Sequence, residues 1–288
     1  MMNSFGKTFK KLRTAQNITL QKATSNIDGL SPSRLSHWEN EGGNMPLEKL
    51  DQLLYNIHVL PTEFIEQMDL RFSNPFTLKF NQAFKANNIS KLYQLAIQQL
   101  KVYEQTQDDI DFFLSALGCN FYFLKTNKNI FPTSAKQKLT SILLKVNVWN
   151  HYYLTAFGNA TNLLDAKTIY KISNRIIANF DQIKAGGDTN HLFALGALLN
   201  ATTTLLLAYP QLAKKLLEKI NKLEIPSLDH YTGLYKKFLQ HLINYRFTHR
   251  EQDLKLATKA IDIANFIDRP DTADEFQNIL SQVLRVSK

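Results

Sequence analysis

Apolar residues recur three and four positions apart along most of the chain, which is the spacing that places side chains on one face of an α-helix. Through residue 68 the pattern is broken into five short segments, each opened by a residue that commonly begins a helix. The predicted helices begin at Ser4, Thr19, Ser31-Pro32, Pro46 and Pro61. We expect the first to run to about Gln16 and the second to stop near Asp28-Gly29, ahead of a tight turn.

Beyond residue 68 the helical spacing continues to the end of the chain, with short breaks at asparagine, glycine and proline. No alternating strand pattern competes with it. We therefore predict an all-α fold with two domains. Residues 1–68 form a five-helix helix-turn-helix domain, and residues 69–288 form an α-solenoid of helical hairpins of the tetratricopeptide (TPR) type.

The composition fits a folded protein inside the cell. Of 288 residues, 44% are hydrophobic and 20% are charged, and one cysteine, Cys119, excludes an intrachain disulfide. No apolar run reaches the roughly 18 residues of a membrane span, and the start of the chain lacks a signal-peptide core. We expect a cytoplasmic protein with no membrane partner.

The net charge of +9 suggests an anionic partner, and the excess is uneven. Residues 1–38 carry six cations against one anion, whereas residues 39–68 carry one cation against six anions. A charge run of this kind is also compatible with an ordinary solvated face. Charge alone therefore does not identify the partner.

Three segments of the first domain resemble the Cro/C1-type (XRE) DNA-binding domain. They read FGKTFKKLRTAQNITLQKA, LSPSRLSHWENEG and PLEKLDQLLYNIHVLPTEF. The chain departs from the family pattern at Ala23-Thr24, where Leu-Ala is usual, and at Glu41, since the usual glycine is displaced to Gly42. The resemblance implies double-stranded DNA as a partner, with the third helix in the major groove.

Position on these helices suggests the role of each polar residue. Arg34 is the best candidate to read a base, because a guanidinium pairs bidentately with guanine, while basic residues on the first two helices suit phosphates. Trp38 and Leu35 should point into the core, and His37 is equally consistent with a plain surface residue. The predicted DNA contacts are Lys10, Lys11, Arg13, Lys22, Ser31, Ser33, Arg34 and His37.

A weak repeat runs through the second domain. Asn120, Asn159 and Asn200 each follow small residues in an apolar helix and lie 39 and 41 positions apart, close to the period of helical-hairpin repeats. If the helices stack in register, Asn159 and Asn200 face one concave surface, where carboxamides can bond to an extended peptide. The alternative is that these asparagines cap or bridge helices internally.

The whole chain resembles the Rgg/GadR/MutR regulators of Gram-positive bacteria. The segment VWNHYYLTAFGNATNLLD is similar to that family's paired aromatics and Gly-Asn, and the opening FGKTFKKLR is similar to its start. The resemblance implies a short signalling peptide on the concave face and a homodimer formed by the repeat domain. Asn162 stands where the family often has an arginine. The predicted peptide contacts are Tyr153, Asn159, Asn162 and Asn200.

Catalytic patterns are missing from the sequence. It has no glycine-rich phosphate loop, no H-E-x-x-H, no G-x-S-x-G and no cysteine cluster. We predict no enzyme activity, no cofactor and no metal. Three hypotheses remain: a peptide-gated transcription regulator, a DNA-binding repressor whose helical region only oligomerises, and a repeat-domain adaptor. The concave asparagines favour the first.

Overall fold

A computed structural model describes residues 5–68 and 75–287 of the chain, including the backbone but not the side chain of Ser287. Within these ranges every regular element is helical, which confirms the predicted all-α fold. The chain divides into two compact units, residues 1–74 and 75–288.

Five helices lie within residues 5–68 of the first unit, and two of their starts show the predicted caps. The Thr19 hydroxyl accepts a hydrogen bond from the Lys22 amide at 3.2 Å, and the Ser31 hydroxyl accepts one from the Arg34 amide at 3.2 Å. Ser4 lies outside the described residues. The helices are α1 (Phe5–Ala15), α2 (Leu20–Ala23), α3 (Pro32–Glu41), α4 (Leu47–Asn56) and α5 (Pro61–Gln67).

The second helix is shorter than predicted. It ends at Ala23 instead of reaching Asp28-Gly29. The Asn56 side chain of α4 donates hydrogen bonds to the carbonyls of Ala23 and Ser25, both at 2.9 Å. Because α4 satisfies these carbonyls, the chain can leave the helix early without unpaired backbone groups. The helix propensities of the residues in α2 could not reveal this contact, because Asn56 belongs to another helix.

The first unit closes around a core of aromatic and branched side chains. Trp38 is 4% exposed, and its ring lies 5.7 Å from the Phe9 ring, which confirms its prediction as a core residue. Leu35, on the same face of α3, is fully buried. The opposite face of α3 is left to solvent.

The second unit is a stack of helices, and some of their ends fall at the predicted asparagine, glycine and proline breaks, whereas the breaks at 107–108 and 249–250 were not predicted. They are α6 (Pro75–Lys85), α7 (Ile89–Thr106), α8 (Asp109–Thr126), α9 (Thr133–Lys145), α10 (His151–Gly158), α11 (Ala166–Ala178), α12 (Phe180–Ala185), α13 (Asp188–Ala208), α14 (Pro210–Ile220), α15 (His230–Thr248), α16 (Glu251–Phe266) and α17 (Pro270–Ser287). A 3₁₀ turn, Thr161–Leu163, follows α10.

Two layers of helices are evident within this unit. The helices α10, α13, α15 and α17 contact one another in succession, and α9, α11 and α14 do so behind them. By length and composition, α13 is long and apolar enough to cross a membrane, but 56% of its apolar window is buried inside the unit. It is the central helix of the stack, with α10 and α15 on either side.

The crossing of α1 and α3 provides a test of the first unit. A Cβ added at Gly6 would lie 2.0 Å from the Trp38 carbonyl oxygen, so Gly6→Ala must separate the two helices. We expect the free energy of unfolding of the first unit to fall by about 1–3 kcal/mol or more, which is typical of overpacking. Hydrogen–deuterium exchange measured on peptides from residues 5–68 should accelerate.

Gly233→Ala is the matched control, because a Cβ at this helical glycine meets nothing within 4 Å. It should leave exchange unchanged or slow it locally, since alanine favours a helix by about 0.5–1 kcal/mol over glycine. Unchanged exchange in Gly6→Ala would contradict the close crossing.

Candidate DNA-binding surface and ligand groove

The exposed face of α3 carries the residues proposed to meet DNA. Ser31, Ser33, Arg34 and His37 are all exposed. The Arg34 guanidinium lies 3.5 Å from the Gly29 carbonyl oxygen, a marginal contact that leaves it able to reorient. His37 Nε2 lies 2.9 Å from a carboxylate oxygen of Glu41, and both side chains are open to solvent.

Basic side chains from the first two helices extend the polar surface. Lys10, Lys11 and Lys22 are exposed, as phosphate contacts require. Lys10 Nζ donates to the Asn40 side-chain oxygen at 2.7 Å. An open depression of about 390 Å³ lies here and is lined by Lys7, Lys10, Lys11, Thr14, Glu39 and Asn40. Asn40, which sequence reasoning missed, links this basic region to α3.

Arg13 does not belong to that surface, and its predicted contact with phosphate is corrected. Its side chain is 9% exposed and forms a bidentate ion pair with Glu39, from Nε to Oε1 at 2.7 Å and from Nη2 to Oε2 at 2.8 Å. Nη1 donates to the Ile18 carbonyl at 2.6 Å. These hydrogen bonds to Glu39 raise the pKa of Arg13. The residue joins α1 to α3 and to the loop before α2.

In the second unit, a groove of about 280 Å³ lies between α10 and α13. It brings together Asn159 and Asn200, the pair predicted to face one surface. Asn200 Nδ2 donates to the Gly158 carbonyl at 3.3 Å, so its side-chain oxygen remains available. The Asn159 carboxamide has no hydrogen-bond partner among the described residues. The lining residues are Leu154, Thr155, Gly158, Asn159, Leu192, Phe193, Gly196, Ala197 and Asn200.

Thr155 and two apolar residues complete the groove. The Thr155 hydroxyl is buried and has no hydrogen-bond partner in the described part of the chain, which is unusual for a buried polar atom. Leu192 and Phe193 are 41% and 40% exposed, large fractions for such side chains. Sequence reasoning missed Thr155, although it lies one helical turn before Asn159 and therefore on the same face. The groove thus combines free polar groups with apolar walls.

The other predicted peptide contacts have partners inside the fold. The Asn162 amide donates to the buried Asn120 side-chain oxygen at 3.2 Å, and Thr204 lies 3.4 Å from the Asn162 side-chain oxygen. The Tyr153 ring packs edge-on against Phe113 with centroids 6.3 Å apart. Neither Asn162 nor Tyr153 lines the groove. Internal bridging, the alternative considered for the repeat asparagines, therefore describes Asn120 and, through its bond to the Gly158 carbonyl, one part of the Asn200 side chain.

Comparison with known proteins bears on these two surfaces. A family model described as the C-terminal domain of the HTH-type transcriptional regulator Rgg matches residues 81–278. The chain belongs to the Rgg family. It is thus a transcriptional regulator of the helix-turn-helix type, and its family is one of regulators rather than enzymes.

Solved structures share the fold of this Rgg protein along nearly its whole length. The Rgg2 receptor for the SHP pheromone from Streptococcus dysgalactiae matches with a TM-score of 0.73 at 17% identity, over 97% of this chain and 99% of the other. A protein of Listeria monocytogenes assigned as a transcriptional regulator matches with a TM-score of 0.75 at 17% identity, over 99% and 98%. At these identities the likeness concerns the fold.

The lone cysteine of this Rgg protein has the environment of a packing residue. Cys119 is fully buried, and burial raises the pKa of its thiol to about 12. Its thiolate, the nucleophilic form, is therefore negligible at neutral pH. In residues 5–68 and 75–287, no group of three or more histidine, cysteine, aspartate or glutamate side chains has the arrangement of a metal site.

The corrected role of Arg13 predicts a stability effect. Arg13→Ala leaves the 1%-exposed Glu39 carboxylate without its partner. Breaking a buried ion pair in this way lowers the free energy of unfolding by about 3–5 kcal/mol. Urea denaturation of the purified Rgg protein should show this loss. The double variant Arg13→Ala/Glu39→Ala should recover part of it, because no buried charge is then unpaired.

Lys11→Ala removes one positive charge from the exposed side of the same helix and should change stability by less than about 0.5 kcal/mol. If Arg13→Ala unfolded like the wild type and weakened binding to all DNA sequences, the phosphate role would be restored.

Proposed function

We propose that this Rgg-family regulator is a cytoplasmic protein whose action on promoter DNA is controlled by a short signalling peptide bound in the groove between α10 and α13. The observation that carries the proposal is the set of unpartnered polar groups in that groove. Within residues 5–68 and 75–287 the side chains of Asn159 and Thr155 lack hydrogen-bond partners, and they lie beside the exposed apolar side chains Leu192 and Phe193.

An extended peptide matches this arrangement chemically. Its backbone offers both N–H and C=O groups, and a carboxamide such as that of Asn159 can bond to either. Each hydrogen bond contributes about 0.5–1.5 kcal/mol, and burial of apolar peptide side chains against Phe193 adds to this. The Streptococcus dysgalactiae structure of the same fold is that of a pheromone receptor, which supports a peptide ligand.

The DNA half of the proposal depends on α3. Its exposed N-terminal residues, Ser33 and Arg34, lie where recognition helices meet base edges, and Lys10 and Lys22 lie on helices that flank it. One helix-turn-helix contacts only half a site, so we expect a twofold symmetric homodimer held mainly by the second unit.

A repressor whose helical region only oligomerises is the second candidate. It would not require the free polar groups of the groove. The two candidates therefore differ in whether blocking the groove changes the response to peptide.

Gly196→Phe is the sharpest test of the groove. A Cβ at Gly196 meets nothing within 4 Å, so the larger side chain should fill the groove without disturbing the core. Pools of synthetic apolar hexapeptides would be incubated with the protein, and retained peptides identified by mass spectrometry and titrated calorimetrically. We expect at least tenfold weaker binding in Gly196→Phe. In Asn159→Ala we expect a loss of roughly tenfold, equivalent to about 1.4 kcal/mol.

Gly233→Phe is the control, because this site is equally open but does not line the groove. Each variant should melt close to the wild type. Unchanged peptide affinity in both groove variants would contradict the site, and a collapsed melting temperature in Asn159→Ala would make that residue structural.

Arg34 and Lys10 should differ in how they contribute to DNA binding. Arg34→Ala should reduce the binding free energy for the preferred duplex, which is selected from random sequences, by about 1–3 kcal/mol. It should also relax the sequence specificity at one base position. Lys10→Ala should weaken all duplexes alike and reduce the slope of log affinity against log salt by about one. Fluorescence anisotropy over a salt series measures both. If both variants lost affinity equally for preferred and random duplexes, Arg34 would be a phosphate contact and not a base contact.

A further inference from the structure

A carboxylate without a cationic partner lies among the inner helices of the second unit. Glu275, on α17, is partly buried and accepts a hydrogen bond from the Tyr231 hydroxyl of α15 at 3.1 Å. The Tyr235 hydroxyl, one turn further along α15, lies near enough to the carboxylate to influence its pKa. No lysine, arginine or histidine of residues 5–68 and 75–287 forms an ion pair with Glu275.

The lack of a cation is notable in a region so rich in them. Beyond residue 68 the chain carries 27 cations against 18 anions. Buried carboxylates are ordinarily paired, because removing a charge from water is unfavourable. Burial accordingly raises the pKa of Glu275, while the two tyrosine hydroxyls act to lower it. Neutral tyrosine hydroxyls replace only part of the hydration that the Glu275 carboxylate loses on burial.

Neighbouring side chains lead from this carboxylate toward the groove. The Thr203 and Tyr235 hydroxyls lie 2.9 Å apart. The Thr203 hydroxyl donates its one proton to the Leu199 carbonyl at 3.0 Å, so in the contact between the two hydroxyls Tyr235 is the donor and Thr203 the acceptor. Thr203 lies on α13 one turn beyond Asn200, which lines the groove. The groove face of α13 therefore continues toward α15 and α17.

The path also sets a distance. Side chains three positions apart on a helix lie about 5–6 Å apart at Cβ, so the Asn200–Thr203–Tyr235–Glu275 path spans on the order of 10–15 Å. An extended peptide advances about 3.3 Å per residue, so three or four residues cover this interval. A short peptide is therefore long enough to span from Asn200 to Glu275.

The surroundings of Glu275 are suited to a cation. The Tyr231 side chain is 43% exposed, and its ring lies 5.7 Å from that of Tyr235. Aromatic faces beside a carboxylate favour an ammonium group, through the ring quadrupole as well as through charge. A protonated amino group would also provide this carboxylate with further hydrogen-bond donors and with the positively charged partner that it lacks.

We propose that Glu275 and the exposed Tyr231, with the buried Tyr235 behind them, form an ammonium-binding subsite that fixes one end of the bound peptide. The subsite rests on the proposed function, since it assigns the direction and chemistry of the same ligand. The ammonium is supplied either by the amino terminus of the peptide or by a lysine side chain.

Matched peptide pools test the subsite on the full-length protein. Three pools of apolar hexapeptides would be used: one with free amino termini, one acetylated with a single lysine, and one acetylated without lysine. The wild type should retain one of the first two at least tenfold over the third, and which one is retained identifies the source of the ammonium. In Glu275→Gln that preference should disappear. The variant should still retain peptides, and adding Asn159→Ala to it should still weaken that retention.

Asp274→Asn is the charge-matched control, because Asp274 is an exposed neighbour on the same helix. It should keep the full preference. Glu275→Gln should melt at or above the wild-type temperature at neutral pH, since it removes a partly buried charge, and this separates lost binding from unfolding. Equal retention of all three pools by the wild type, or an unchanged preference in Glu275→Gln, would overturn the subsite while leaving the groove as the peptide site. Retention of no pool would instead count against peptide binding itself.

Discussion

The close approach of α10 and α13 is the contact on which the ligand groove depends. A Cβ at Gly158 would lie 3.2 Å from Cα of Ala197, so larger side chains at this crossing would push the helices apart. Because the backbones approach so closely, the Asn200 side chain reaches the Gly158 carbonyl and is held at the groove. A similar crossing occurs one repeat earlier, where a Cβ at Gly118 would lie 3.3 Å from Cα of Ala96. Small residues thus set both the stacking and the site.

Much of this architecture could be predicted from local sequence. Helical spacing and caps such as Thr19 and Ser31 depend on neighbouring residues, so they are readable without a structure. The repeat spacing of the asparagines placed Asn159 and Asn200 together, because stacked hairpins put equivalent positions side by side. Core membership of Trp38 followed from the face it shares with Leu35.

Contacts between distant segments were beyond such reasoning. Arg13 and Glu39 are 26 positions apart, and a basic residue on α1 gives no sign of whether it meets phosphate or a buried carboxylate. Its position four residues after the buried Phe9, on the same helix face, was the signal that could have indicated burial. The early end of α2 likewise depends on Asn56, which lies on another helix. Asn120 shares the repeat pattern of Asn159 and Asn200, yet its side-chain oxygen accepts from the backbone amide of Asn162 instead of facing the groove.

The same stacking suggests how a ligand in this unit acts on more than one helix. A peptide can shift a conformational equilibrium only through contacts that differ between two states. The groove is formed by α10 and α13 together, and the Thr203–Tyr235 contact ties α13 to α15. Under the proposed function, a ligand held by Asn159 at one end and by Tyr231 and Glu275 at the other would contact groups whose separation changes when these helices slide. Its binding energy favours one stacking arrangement, because a one-residue displacement along a helix, about 1.5 Å, already disrupts hydrogen-bond geometry.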